Sequence, residues 1–151
     1  MEFNYKLVNL YYDEKIDSIY AIPTGRLERI GIVDIEVMEK IEPPYDSNIL
    51  LQKIEKALSL CFSLTPQLPS KGGSVIAKLL EKKTYNAATK GKKLIVLLWE
   101  KDSGYKIFPT KKESRGGYTY LYDAEIAIGE TLDADKLFRA VKRAADLSTT
   151  N

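Results

Sequence analysis

Ile32-Val33-Asp34-Ile35-Glu36-Val37-Met38-Glu39-Lys40 reads as a strand, and after Pro43-Pro44 and Tyr45-Asp46-Ser47 the chain restarts as a helix. Ala124-Glu125-Ile126-Ala127-Ile128-Gly129 reads as another strand, turns at Thr131-Leu132-Asp133 and restarts as a helix through Leu147. The two helices align without a gap. Leu50, Leu51, Ile54, Ala57 and Leu60 fall on Leu137, Phe138, Val141, Ala144 and Leu147, a constant offset of 137 − 50 = 87 residues. A strand-helix unit that occurs twice, with a long intervening segment, sets the expected architecture.

Outward from these units the pattern is mostly hairpins. Tyr5 to Tyr11 and Ser18 to Ile22 read as short strands around Asp13-Glu14-Lys15, with Pro23-Thr24-Gly25 closing the second. The strand from Ile30 to Met38 breaks phase at Val33, Ile35 and Val37, which predicts cover on both faces. The first helix is expected over about Ser47 to Cys61, with Asp46 or Ser47 as N-cap and Leu50, Leu51, Ile54, Ala57, Leu58 and Cys61 as its apolar stripe. Pro66 to Gly73 is the most loop-like segment, and a second helix is expected from Ser74 to Lys83. Leu94 to Glu100, Asp102-Ser103-Gly104 and Tyr105 to Pro109 read as a hairpin. Tyr118 to Tyr122 reads as a strand after Gly116-Gly117, paired with Ala124 to Gly129, and the final helix runs from about Asp133 to Leu147. Hairpin-connected strands with helices among them predict an α+β fold, a mostly antiparallel β-sheet with helices packed on it.

The 151 residues are expected to form a single globular domain, residues 1–151, burying roughly 70% of the unfolded surface. Met1-Glu2-Phe3-Asn4-Tyr5 lacks the basic start and apolar core of a signal peptide. The longest apolar run, Leu94 to Trp99, is far shorter than the roughly 20 residues that cross a bilayer. A cytoplasmic location without membrane association is therefore expected. The chain has no histidine, which removes Ser-His and Cys-His nucleophiles, histidine zinc sites and the commonest general base. One cysteine, Cys61, allows neither a thiolate zinc cluster nor a Cys-x-x-Cys pair, and it reads as a buried structural thiol. Gly72-Gly73 and Gly116-Gly117 lack the spacing of phosphate-binding loops. Glu81-Lys82-Lys83 falls on an expected helix without a partner Asp, unlike a nuclease carboxylate-lysine strand, and Asp133 and Asp135 read as helix-capping acids. The expectation is no catalytic residues, no metal, no cofactor, no small-molecule substrate and no enzyme activity.

The net charge is only +2, but it is unevenly spread. Asp34, Glu36, Glu39, Glu42 and Asp46 face Lys40 alone between residues 34 and 46. From Lys71 to Arg115 there are twelve bases against four acids, a local balance of +8. Tyr118, Tyr120 and Tyr122 alternate, which puts three rings on one strand face near Lys111, Lys112 and Arg115. Such a cluster suits stacking on single-stranded nucleic acid, or anchoring of a protein interface, or a half-buried strand face under a loop. The candidate partner-binding residues are Glu36, Glu39, Glu42, Lys111, Lys112, Arg115, Tyr118, Tyr120 and Tyr122.

The order of motifs resembles the immunity proteins of bacterial contact-dependent growth inhibition (CDI) systems, the CdiI family. The residues that carry the resemblance are Ala57-Leu58-Ser59, Lys83-Thr84-Tyr85, Lys90-Gly91, Ile107-Phe108-Pro109-Thr110, Gly117-Tyr118, and the strand-helix from Ala124 through Ser148. They cover nearly the whole chain. Where related chains often have a Leu-Gly step early in the repeated helices, this one has Leu50-Leu51 and Leu137-Phe138. The resemblance implies a cytoplasmic protein that binds and neutralises the toxic C-terminal domain of a cognate cell-surface effector, a nuclease being one candidate for that toxin. It also suggests a strand edge able to accept a toxin β-hairpin. A different reading is a nucleic-acid-binding module that uses the basic 71–115 region.

Overall fold

A computed structural model describes residues 3–67 and 74–150. Eight strands form one antiparallel sheet, and four helices pack on it. In chain order they are β1 Tyr5–Asp13, β2 Ser18–Leu27, β3 Gly31–Asp34, β4 Glu39–Ile41, α1 Ser47–Ser59, α2 Val75–Leu79, α3 Tyr85–Thr89, β5 Lys92–Glu100, β6 Gly104–Lys112, β7 Tyr118–Tyr120, β8 Ile126–Gly129 and α4 Ala134–Leu147. The expected α+β fold is what the chain adopts. The sheet order is β3-β2-β1-β5-β6-β7, with β4 also on β2 and β8 also on β6.

The repeat extends well beyond the strand-helix units. Each half is a long hairpin, then a short strand on the far end of the hairpin's second arm, then another on its near end, then a helix. β1 and β5 meet antiparallel at the centre. Asn9 pairs with Val96, and the flanking pairs Val8–Leu97 and Leu10–Ile95 exchange under an 87-residue shift. A pseudo-twofold axis therefore passes through the Asn9–Val96 pair. The hairpin loops differ by one residue, so β2 and β6 correspond at an offset of 86 (109 − 23). That offset superposes Ile22-Pro23-Thr24 on Phe108-Pro109-Thr110.

The equivalence is chemical as well as topological. Buried Thr24 donates its hydroxyl to the Leu7 carbonyl at 2.7 Å, and buried Thr110 donates to the Leu94 carbonyl at 2.6 Å. The amide of Phe62 donates to Thr24 O, and that of Thr149 to Thr110 O, both at 3.0 Å. Asp46 caps α1 through the Ile49 amide as Asp133 caps α4 through the Lys136 amide, both at 2.9 Å. Cys61 and Ser148, both buried, hold the same place after their helices.

The prolines explain why β2 does not end at Pro23-Thr24-Gly25, as the sequence suggests, but runs on to Leu27. β4 pairs with β2 as far as Ala21, and β3 takes over from Thr24, so Pro23 lies at the seam between two edge strands. A missing N–H costs no ladder bond there. The Pro23 carbonyl accepts from the Ile35 amide at 3.0 Å, and Pro109 from Leu121 at 2.9 Å.

Alternation sends successive side chains to opposite faces. Val8, Leu10, Ile19, Ala21, Ile95, Leu97 and Ile107 bury against α1 and α4 through Leu50, Ile54, Ala57, Leu137, Val141 and Ala144. Leu7, Tyr11, Tyr20, Ile22, Leu94, Val96 and Phe108 face the other way, under Ile76 and Ala77 of α2 and Ala88 of α3. Both faces are covered, which is why the central strands read as near-continuous apolar runs.

Three expectations need correcting. The helix expected over Ser74 to Lys83 covers only Val75–Leu79, and Thr84 caps a separate short helix, α3. The strand expected over Ile30 to Met38 is β3 alone, after which the chain bends before β4. β8 pairs with β6 and not with β7, because Tyr122–Ala124 forms a 3-10 turn that carries the chain to the other end of β6. Most of the loop-like Pro66 to Gly73 segment, including Lys71 and Gly72-Gly73, lies outside the described residues. Among the described residues no helix is long and apolar enough to cross a membrane.

Candidate functional site

The tyrosines meet at the face covered by α2 and α3. Tyr118 and Tyr120 sit opposite Lys112 and Thr110 in the β6–β7 ladder, which fixes them on the same side as Phe108. Tyr120 stacks on Phe108 at 5.8 Å, and the exposed Tyr122 leans on both rings at 5.5 Å. Tyr118 meets Tyr11 edge-on at 6.1 Å and donates its hydroxyl to the Lys92 carbonyl at 2.8 Å. Alternation sets Tyr118 and Tyr120 on this face, both half-buried, but the strand expected to run to Tyr122 ends at Tyr120, and the exposed Tyr122 reaches the same rings from the 3-10 turn that follows.

One acid enters this aromatic face. Asp34, at the end of β3, accepts a hydrogen bond from the Asn9 side-chain amide at 2.7 Å. Burial pushes its carboxyl up to about 6, against the lowering effect of the Asn9 bond. Asp34 in turn raises the hydroxyls of Tyr11, Tyr85 and Tyr120, each already raised first by burial. The hydroxyls of Tyr11 and Tyr85 also act on each other, raising Tyr11 and lowering Tyr85. A desolvated carboxyl on the face that carries the tyrosines can receive a cationic or hydrogen-donating group, whose arrival would favour the ionised acid. Asp34, Asn9, Tyr11 and Tyr85 were not among the sequence candidates. The available signal was Asn9, a lone amide inside the apolar run Leu7 to Tyr12.

The other acids go elsewhere. Glu36 is exposed and pairs with Lys78 of α2 at 2.9 Å. Glu39 is buried on β4, where α1 supplies Lys53 at 3.8 Å and Lys56 at 3.6 Å. Glu42 pairs with Lys40 at 3.0 Å. The acidic 34–46 stretch therefore splits between two faces and is largely answered by nearby lysines.

The basic region is similarly divided. Lys112 caps the C-terminus of α3 through Thr89 O at 2.8 Å and lies over the Tyr118 ring, while Lys92 holds Ala88 O at 2.8 Å. Burial lowers the pKa of both ammonium groups. Lys93 bridges Ala145 O and Glu14, and Lys106 bridges Glu100 and Glu125. Lys111, next along β6, points to the opposite face from Lys112, and Arg115 is exposed in the turn before Gly116. The structure separates the three bases that the sequence placed beside the tyrosines.

No protein-family model matches the chain, and no curated protein sequence does. Among solved structures it resembles a protein of unknown function from Neisseria meningitidis, with a TM-score of 0.72 and 14% identity over 98% of this chain and 99% of that one. It also resembles a chain of a CdiA-CT/CdiI toxin and immunity complex from Yersinia pseudotuberculosis, with a TM-score of 0.63 and 16% identity over 93% of this chain and 98% of that one. At these identities the likeness is one of fold.

Proposed function

We propose that this chain is an immunity protein, which binds the toxic C-terminal domain of a cognate contact-dependent growth inhibition effector in the cytoplasm and neutralises it. The observation that carries the reading is the near-full-length likeness to a chain of a toxin and immunity complex. The motif order from Ala57 to Ser148 points the same way from the sequence. Binding of a toxin domain calls for an interface of roughly 1,600 Å² in total, with a few aromatic anchors supplying most of the affinity. The Asp34-tyrosine face offers both an acid and exposed aromatic area. The nucleic-acid reading loses support because Lys78, Lys92, Lys93, Lys106 and Lys112 already hold partners within the chain.

The test is a growth assay in which the toxin domain encoded immediately upstream is induced with and without this protein. Rescue from that toxin but not from a non-cognate one is expected. Continued killing despite expression of the folded protein would overturn the reading.

A further inference from the structure

The two halves of the molecule handle helix charge differently. In the first half Glu39 of β4 answers Lys53 and Lys56 of α1. An 87-residue shift carries Glu39 to Ile126, Lys53 to Ala140 and Lys56 to Arg143, so the second half keeps a cation and lacks the acid. α4 then adds Lys136 and Arg139 on the same side, at spacings of three and four residues. All three cations are exposed, and none has an ion-pair partner among the described residues. Glu125, just before β8, is held by Lys106 at 3.5 Å.

These cations line a groove of about 380 Å³ bordered on its other side by Ile126, Ala127 and Ile128 of β8, of which Ile126 is half-buried, Ala127 exposed and Ile128 part of the core. Among the described residues β8 is an edge strand, paired only with β6. We infer that this groove receives an acidic segment of the protein partner, carrying carboxylates to Lys136, Arg139 and Arg143 and apolar side chains to β8. Glu39 in the first half shows the contact in intramolecular form: a carboxylate from a strand set against two cations of the neighbouring helix. An apolar strand beside the row of cations favours a polypeptide over a phosphate backbone, which would leave that strand uncovered. The inference rests on the immunity reading and adds the surface and its chemistry.

The test measures binding of the upstream-encoded toxin domain to three proteins: the wild type, the K136E/R139E/R143E variant, and a K82E/K83E/K90E control. Both variants change net charge equally, and all six side chains are exposed, so general steering is separated from local contact. The α4 variant is expected to lose roughly 100-fold in affinity and much of its salt dependence, and the control far less. A K136Q/R139Q/R143Q variant, which introduces no repulsion, should fall between wild type and reversal. Equal losses in both reversals, or none, would overturn the groove while the immunity reading stands. A wild type that does not bind the toxin would overturn that reading and the groove with it. Tighter capture by the groove of a single-stranded 12-mer oligonucleotide than of the toxin would also overturn it.

Discussion

Thr24 and Thr110 each bury a hydroxyl against a strand carbonyl of their own half, and the two bonds share no partner. T24V and T110V should each cost about 1–2 kcal/mol, because an isosteric apolar group leaves a buried carbonyl short of a donor. Their effects should add in the double variant, as urea denaturation would measure. Asp34 makes an opposite prediction. Its folded pKa is about 6 against an ordinary 3.8, so the folded state binds the extra proton between those values. Stability therefore falls as pH rises from about 4 to 6, by up to ~3 kcal/mol, and the penalty is fully present above that window. D34N, which keeps an oxygen to accept from Asn9, should flatten the stability profile over that range and raise stability at pH 7. An unchanged profile would show that Asp34 is not desolvated. Tyr122 carries an aromatic face that the fold does not need, being 69% exposed. Y122A should leave stability within about 0.5 kcal/mol of wild type and weaken toxin binding by about 1–2 kcal/mol, separable by melting and binding measurements on the same sample. Glu39, by contrast, is a poor choice for a steering mutation. Its reversal strands a buried charge between Lys53 and Lys56 and should lower stability first.

At the scale of elements, the two long helices begin in the same way and side by side. The Ser47 hydroxyl of α1 donates to the Asp135 carboxylate of α4 at 3.1 Å, so an acid lies near both helix N-termini. D46A and D133A should each cost about 1 kcal/mol, and matched losses in chemical denaturation would confirm that the caps are equivalent. The caps and apolar stripes of these helices were legible in the sequence, since a cap and a 3.6-residue period are local signals. α3 was not, because a helix of five residues shows no period. Its Thr84 cap was in view only as part of a Lys-Thr motif. β2 was cut short because proline usually ends a strand, and nothing local reveals that Pro23 falls at a seam between two edge strands.

For the molecule as a whole, the pseudo-twofold makes β1 and β5 the shared centre of one sheet. Nine residue pairs join them, from Tyr5–Glu100 to Asp13–Lys92. Neither half can bury its central strand alone, so unfolding should be a single cooperative transition. Trp99 fluorescence, reporting from the end of β5, and far-UV ellipticity should give the same midpoint. Two separated midpoints would mean that the halves fold independently.

The sequence by itself determined the α+β class, the two equivalent helices with their constant spacing, the helix caps, and the alternation that sets Tyr118 and Tyr120 on one face. All of these follow from periodicity and local hydrogen bonding. Only the tertiary structure decided that the repeat takes in the hairpins as well. Strand positions preserve only an in-out pattern, and Pro23-Thr24 matching Pro109-Thr110 was too short a signal to stand out. The fold also decided which charges meet. It sent Asp34 to the face that carries the tyrosines, gave Glu39 to Lys53 and Lys56, consumed Lys112 as a helix cap, and left Lys136, Arg139 and Arg143 beside β8 without an ion pair among the described residues. Charge pairing depends on which strands lie side by side, and that is fixed by long-range packing of the sheet.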